Sequence, residues 1–196
     1  MSNQIESEHF PYVREGWPKS ERGEVFRISS VGILAHIGEL VGGKRIGPTF
    51  LLVEKKDEEG HPWSIASGHV DPSDRSVFET AKREFQEEVG LQIETSKLET
   101  FLVCENPQKK TKQVIFSYEL NEREYDALMS LGKWISTGGG IEICERNEEG
   151  EEIGRLALVP AMSMFYRGHF ITASVARFRW DFWKGIKDKL EGLRIV

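Results

Sequence analysis

The order of strand-like and helix-like segments predicts an α+β sandwich. Three observations carry this prediction. Val-, Ile- and Leu-dense strand segments lie on both sides of one strongly patterned helix. Strands and helices mix without the strict alternation of a doubly wound sheet. The 196 residues, 39% hydrophobic and 30% charged, suit one soluble globular domain preceded by an arm.

The elements follow in order. Residues 1–23 lack periodicity and contain Pro11, Gly16 and Pro18; they read as an N-terminal arm whose Phe10, Tyr12 and Trp17 pack on something, and residues 24–196 as the single domain. Val25–His36 and Thr49–Glu54 read as strands separated by glycine-rich punctuation, and Lys55–Gly60 as a charged turn. Trp63–Ala66 is a short strand ending at Ser67-Gly68. Ser76–Val89 is the best-defined helix: Ser76 can cap it, Glu79 completes a capping box, and Gly90 stands where a left-handed residue ends a helix. Val77, Phe78, Ala81, Phe85 and Val89 form its apolar stripe. Leu98–Cys104 and Gln113–Tyr118 follow as strands around the loop Glu105–Lys112, then a short helix at Glu122–Leu131. Ile141–Asn147 and Glu152–Val159 form a hairpin, and Phe178, Phe182, Ile186, Leu190 and Leu193 mark a C-terminal amphipathic helix.

Composition removes several function classes. With 26 basic and 32 acidic side chains the net charge is −6, and no basic block is available to neutralise a long run of phosphates, so a long nucleic acid is not expected as partner. The longest apolar stretch, Val31–Val41, is broken by His36 and Glu39 and falls far short of the ~18 residues of a membrane span. Cys104 and Cys144 are each alone, which excludes a disulfide framework. Met1–Glu8 is polar and acidic, unlike a signal peptide, and the expected location is cytoplasmic.

The chemistry gathers on the Ser76–Val89 helix. Glu84, Glu87 and Glu88 stand at i, i+3 and i+4, on one helical face. Like charges at this spacing destabilise a helix by ~0.2–0.5 kcal/mol per pair, so the arrangement gains nothing structurally. A hard divalent cation, Mg²⁺ or Mn²⁺, reverses that sign by binding the carboxylate oxygens and bridging to substrate phosphates. Just before the helix, Ser67-Gly68-His69-Val70-Asp71-Pro72 is a tight glycine turn whose backbone can approach the same ion. Solvated glutamate faces are common, so the wider pattern decides. Gly68–Leu91 reads GHVDPSDRSVFETAKREFQEEVGL and resembles the box of the Nudix hydrolases, G-x5-E-x7-R-E-U-x-E-E-x-G-U with U apolar. Arg83, Glu84, Phe85, Glu87, Glu88, Gly90 and Leu91 match its second half in full. The first half departs twice: Asp74 replaces the first glutamate, and eight residues rather than seven separate it from Arg83. Because Ser76 to Arg83 keeps the usual cap-to-arginine spacing, the extra residue falls before the helix, near Arg75.

The resemblance implies an α/β/α sandwich around a mixed β-sheet and Mg²⁺-dependent hydrolysis of a diphosphate linkage. ADP-ribose and nucleotide sugars exemplify the implied substrates, nucleoside diphosphate derivatives. Glu84, Glu87 and Glu88 would bind the metal with the Gly68 carbonyl, Arg83 would orient the carboxylates, and Glu84 or Glu87 would accept the proton from the attacking water. The role of Asp74 stays open. A later-loop acid is common in the family, and Glu142, Glu145, Glu148, Glu149 and Glu151 are candidates. Lys109, Lys110 and Lys112 are candidates for phosphate binding, against the plainer reading of a charged hairpin tip. Pro107 lies near a spacing seen in ADP-ribose hydrolases, and Asn106-Pro107 is also an ordinary turn. Trp17, Trp63 and Trp134 could stack on a base or fill core, and Phe178–Trp183 reads as core or as the seam of a homodimer. Two rival functions remain: a regulator that binds a nucleotide metabolite without catalysis, and a pyrophosphohydrolase of RNA 5′ ends.

Overall fold

The computed structural model describes residues 27–41, 44–56, 63–106, 110–138, 140–146 and 153–161. The expected arm and C-terminal helix, Pro107, Lys109, Glu148, Glu149 and Glu151 lie outside them. Among the described residues nine strands form one sheet: β1 (Arg27–Val41), β2 (Lys44–Lys55), β3 (Trp63–Ser64), β4 (Ala66–His69), β5 (Glu99–Asn106), β6 (Thr111–Glu119), β7 (Gly132–Gly138), β8 (Ile141–Arg146) and β9 (Ile153–Pro160). Their order is β5-β6-β1-β2-β9-β8-β7, with β3 beside β2 and β4 beside β1. Only β1 and β6 run parallel among these pairs, which makes the sheet mixed. Among the described residues two α-helices, α1 (Val77–Val89) and α2 (Glu122–Met129), complete the α+β architecture that the sequence predicts.

Period-two alternation divides the sheet's side chains between two cores. Val31, Ile33, Ala35, Leu51, Val53, Val114, Phe116, Tyr118, Leu156 and Leu158 share one core with α1 and with Leu128 of α2. Their strand neighbours Leu34, Phe50, Leu52, Ile115, Ala157 and Val159 belong to the other. Helix α1 buries Val77, Ala81, Phe85 and Val89 of its expected stripe. The Phe78 ring lies 5.2 Å from that of Phe116, and the Phe85 ring 6.4 Å from that of Tyr118.

Local chemistry sets the ends of α1. The Ser76 hydroxyl accepts from the Glu79 amide at 3.2 Å, and Gly90 closes the helix at φ 88°, a conformation that favours glycine. The reciprocal half of the expected capping box is displaced by one residue, since the Glu79 carboxylate accepts from the Arg75 amide at 2.8 Å. Helix α2 has the full box, with Asn121 and Glu124 exchanging side-chain and backbone bonds.

Three strand predictions need correction. β1 and β2 continue to Val41 and from Lys44, so Gly38 lies within the ladder opposite Pro48, and Gly47 lies inside β2 at the register irregularity next to that pair. The Trp63–Ala66 strand is two pieces, because the chain changes partner at Ile65: β3 pairs with β2 and β4 with β1. β7 has no counterpart in the sequence reading. It is an edge strand with glycine at both ends and an exposed Ile135, so it lacks the apolar alternation of a half-buried strand.

Candidate active site

β4 and α1 build the site between them. The Gly68–Val31 and His69–Ser30 pairs bring the glycine turn to the N-terminal half of β1, and α1 packs across β4. On α1, Glu84 and Glu88 are one turn apart and face the sheet, at 8% and 5% exposure, whereas the Glu87 side chain is 57% exposed. The three glutamates are therefore not equivalent: two form a buried pair of hard oxygen donors, and one faces solvent.

Arg83 organises the outer half of the cluster. Its Nη1 donates to Glu84 Oε1 at 2.7 Å and to Glu87 Oε2 at 3.0 Å, and its Nη2 donates to the His69 carbonyl at 3.1 Å. Its Nε and Nη2 also grip Asp74 at 3.2 and 2.9 Å, the forked geometry that guanidinium offers a carboxylate. Asp74 is 7% exposed and takes two more donors, the Asp71 amide at 3.0 Å and the Thr80 hydroxyl at 2.8 Å. Burial pushes the Asp74 carboxyl up, but its bonds from Arg83, Asp71 and Thr80 outweigh that and hold it below the usual carboxylate range. Bonding to Asp74, more than its neighbouring acids, holds Arg83 in its charged form. The position left open by the sequence is thus occupied by the anchor of Arg83. The shorter aspartate reaches the arginine from a loop that is one residue longer.

The inner half involves a residue that the sequence reading assigns to the charged turn Lys55–Gly60 and that the structure places in β2. Lys55, the last residue of β2, shares the face of Leu51 and Val53 and reaches α1. Its ammonium pairs with Glu88 Oε1 and donates to the Ser67 carbonyl at 3.3 Å. Ser67 returns its own amide to Glu88 Oε2 at 2.9 Å. Burial pushes the Glu88 carboxyl up to about 7 against the opposing pull of Lys55, and burial likewise raises Glu84 against Arg83. The Glu88 carbonyl, one of the unpaired ends of α1, accepts from Arg146 Nη1 of β8 at 3.0 Å. Strand alternation in β2 was the available signal for Lys55, since a lysine two residues beyond Val53 must lie on the helix-bearing face.

The donor set fits a hard divalent cation. Glu84 and Glu88 present buried carboxylates, and a Cβ at Gly68 would lie 2.0 Å from Glu84 Oε2, so any larger residue there would push the Glu84 carboxylate from its place against the turn. Among the described residues, no group of three or more His, Cys, Asp or Glu side chains is already spaced around a common ion position. Arg83 and Lys55 stand among the carboxylates instead.

The remaining candidates disperse. Lys110 is exposed in the β5–β6 turn at φ 51°, and Lys112 is half-buried on β6. Val114 lies across β1 from Gly68, about 10 Å away at two strand spacings. Lys112, two residues along on the same face, is at the box end of the sheet. Glu142 lines a groove at the far end of β1 with His36 and Glu119, away from the box. Glu145 follows Cys144, which faces the α1 core, and is exposed on the opposite face of β8. Trp63 is buried under the Arg155 guanidinium, 5.6 Å from its ring, and Trp134 packs against the α1 core, so both are structural.

A sequence profile of the NUDIX domain matches residues 40–151, more than half of the chain, and the chain belongs to the Nudix family. No curated protein sequence matches it significantly. Among solved structures, a MutT/nudix family protein from Enterococcus faecalis aligns at TM-score 0.41 and 14% identity, over 67% of this chain and 52% of its own. This chain thus spans about half the length of that protein. The NUDIX domain of Shewanella oneidensis NrtR, solved with ADP ribose, aligns at 0.43 and 11% over 73% of this chain and 78% of that one. A Caenorhabditis elegans Ap4A hydrolase aligns at 0.41 and 16% over 80% and 98%.

Proposed function

We propose that the protein is a Mg²⁺- or Mn²⁺-dependent pyrophosphohydrolase acting on a small nucleoside diphosphate derivative, such as ADP-ribose or a nucleotide sugar. The observation that carries this reading is the unequal set of glutamates: two buried at a glycine turn and one exposed, with Arg83 spanning Glu84 and Glu87. Glu84 and Glu88, with the backbone at Gly68, would hold the cation. When bound, the cation neutralises the diphosphate and acidifies water.

The chain's own residues do the rest. Asp74 fixes Arg83, and Arg83 fixes the directions of Glu84 and Glu87. Glu87, exposed and held at one oxygen, accepts the proton of the attacking water. The water oxygen bonds to one phosphorus as the bridging P–O bond breaks, leaving a nucleoside monophosphate and a phosphorylated fragment. Lys112 and Lys110, with Lys109 beside them in sequence, supply positive charge for the outer phosphate oxygens. A second reading, a metabolite-binding regulator, draws on the fact that Arg83 and Lys55 already pair all three glutamates.

The test is incubation with Mg²⁺ and ADP-ribose, nucleotide sugars, dinucleoside polyphosphates, nucleoside triphosphates or 5′-triphosphorylated RNA, comparing wild type with Glu87→Gln and Glu88→Gln. Hydrolysis of at least one small substrate is expected, with losses of roughly 10²–10⁴-fold in each variant. Unchanged turnover in both variants would reject the assignment. Metal-independent nucleotide binding without turnover would establish the regulator.

A further inference from the structure

We propose that Lys55 is a resident cation that competes with the divalent ion for Glu88, and so sets how tightly the site binds metal. This rests on the metal-dependent reading above. Both Glu88 oxygens are taken: Oε1 by the Lys55 ammonium and Oε2 by the Ser67 amide. The amide belongs to β4 and is held in the ladder with β1, so it cannot withdraw. The ammonium is on a flexible stem and can. An ion that binds Glu88 therefore meets the positive charge of Lys55 on one oxygen, and of the two partners the ammonium is the one that can give way.

The arrangement of charges supports the same conclusion. Asp74, Glu84, Glu87 and Glu88 face Arg83 and Lys55 within one bonded cluster, leaving two negative charges, which a single divalent cation neutralises. Arg83 is anchored by the fork to Asp74 and by the His69 carbonyl, so it is the fixed cation of the pair. Lys55, whose second contact is one backbone carbonyl at 3.3 Å, is the exchangeable one. The side chains of Lys55 and Glu88 are only 13% and 6% exposed, so solvent and salt screen their competition with a metal weakly. Once displaced, the ammonium remains tethered at the end of β2, next to the ion that displaced it.

The sign of the effect separates this role from a structural one. Loss of a merely structural lysine would loosen the site and weaken metal binding; loss of a competitor strengthens it. Mn²⁺ binding to the full chain is measured by electron paramagnetic resonance and calorimetry at pH 8.5, for wild type, Lys55→Met, Lys55→Gln and Lys55→Arg. The expected result is at least tenfold tighter binding in Lys55→Met or Lys55→Gln and near-wild-type affinity in Lys55→Arg. Lys55→Gln keeps a donor for Glu88, and so covers the case in which Lys55→Met does not fold. In a Glu88→Gln background, the gain from either neutral variant falls below threefold. Without metal, the neutral variants melt below wild type, and saturating Mn²⁺ closes the gap. Mn²⁺ affinity in folded Lys55→Gln that equals or falls below wild type would overturn the competition while leaving the metal-dependent reading intact. Absence of Mn²⁺ binding in every protein would overturn both.

Discussion

Asp74 shows how one residue can carry a site it does not enter. It receives four donors and lies among them almost fully buried, and through Arg83 it sets the direction of two glutamates. Removing one partner of such a pair leaves the other charge uncompensated, which costs several kcal/mol when both are buried. The Arg83 side chain is 32% exposed, so solvent recovers part of that cost. Asp74→Asn should therefore lose about 1–3 kcal/mol of stability and roughly 10–100-fold in kcat/KM, the usual penalty for disturbing a residue that orients ligands. Thermal melts and steady-state kinetics on the preferred substrate check both. Wild-type values for both would show that Arg83 is positioned by Glu84, Glu87 and His69 alone. The sequence exposes Arg83, Glu84, Glu87 and Glu88 because their spacing lies within one helix. It hides the role of Asp74 behind a loop insertion; strand alternation gives the face of Lys55, but not that this face meets Glu88 of a helix more than thirty residues away.

At the scale of elements, what was legible follows from how local the signal is. Helix α1 is written in adjacent residues: a cap at Ser76, a stripe at helical spacing and a left-handed Gly90. β7 depends on its partner β8 and carries little apolar pattern, so no window of sequence announces it. The start of α2 lies between these cases. Its capping box is local, but its carboxylate is also tied to the sheet: Glu124 Oε2 accepts from the Asn121 amide at 2.9 Å while Oε1 takes the Tyr118 hydroxyl of β6 at 2.5 Å. Tyr118 also accepts from the Glu94 amide at 3.1 Å. Burial first, and then the bond to Glu124, push the Tyr118 phenol from 10.0 up to about 12. A phenol whose folded pKa is raised contributes stability fully below pH 10, and that contribution is lost as pH rises towards 12. The stability difference between wild type and Tyr118→Phe should hold constant up to about pH 9 and shift against wild type by about 1–3 kcal/mol between pH 10 and 12. Urea titrations across that range test it; a difference independent of pH would mean that Tyr118 titrates alike in folded and unfolded chains.

At the scale of the molecule, charge and stability meet at the same place. Half of the net charge of −6 lies within Gly68–Leu91, where six acids face three bases. This acidity does not argue against a phosphate-bearing ligand when a cation mediates the contact. Among the described residues no helix is long and apolar enough to cross a membrane. The carboxylates of Glu84 and Glu88 meet the Ser67-Gly68 backbone only after α1 has packed on β4, so an ion that uses them binds the folded chain and not the unfolded one. Binding of that kind stabilises by mass action, about 2.7 kcal/mol when the free ion is at a hundred times its Kd. For a chain of this length each kcal/mol moves the melting temperature by roughly 2–4 °C, so saturating Mg²⁺ should raise it by about 5–10 °C. Chelation by EDTA should reverse the shift. The double variant Glu84→Gln/Glu88→Gln should show none beyond the response to an equal ionic strength of KCl. An equal rise in that variant would place any bound cation elsewhere on the acidic surface, because the two residues that α1 turns towards the sheet would then contribute nothing to holding it.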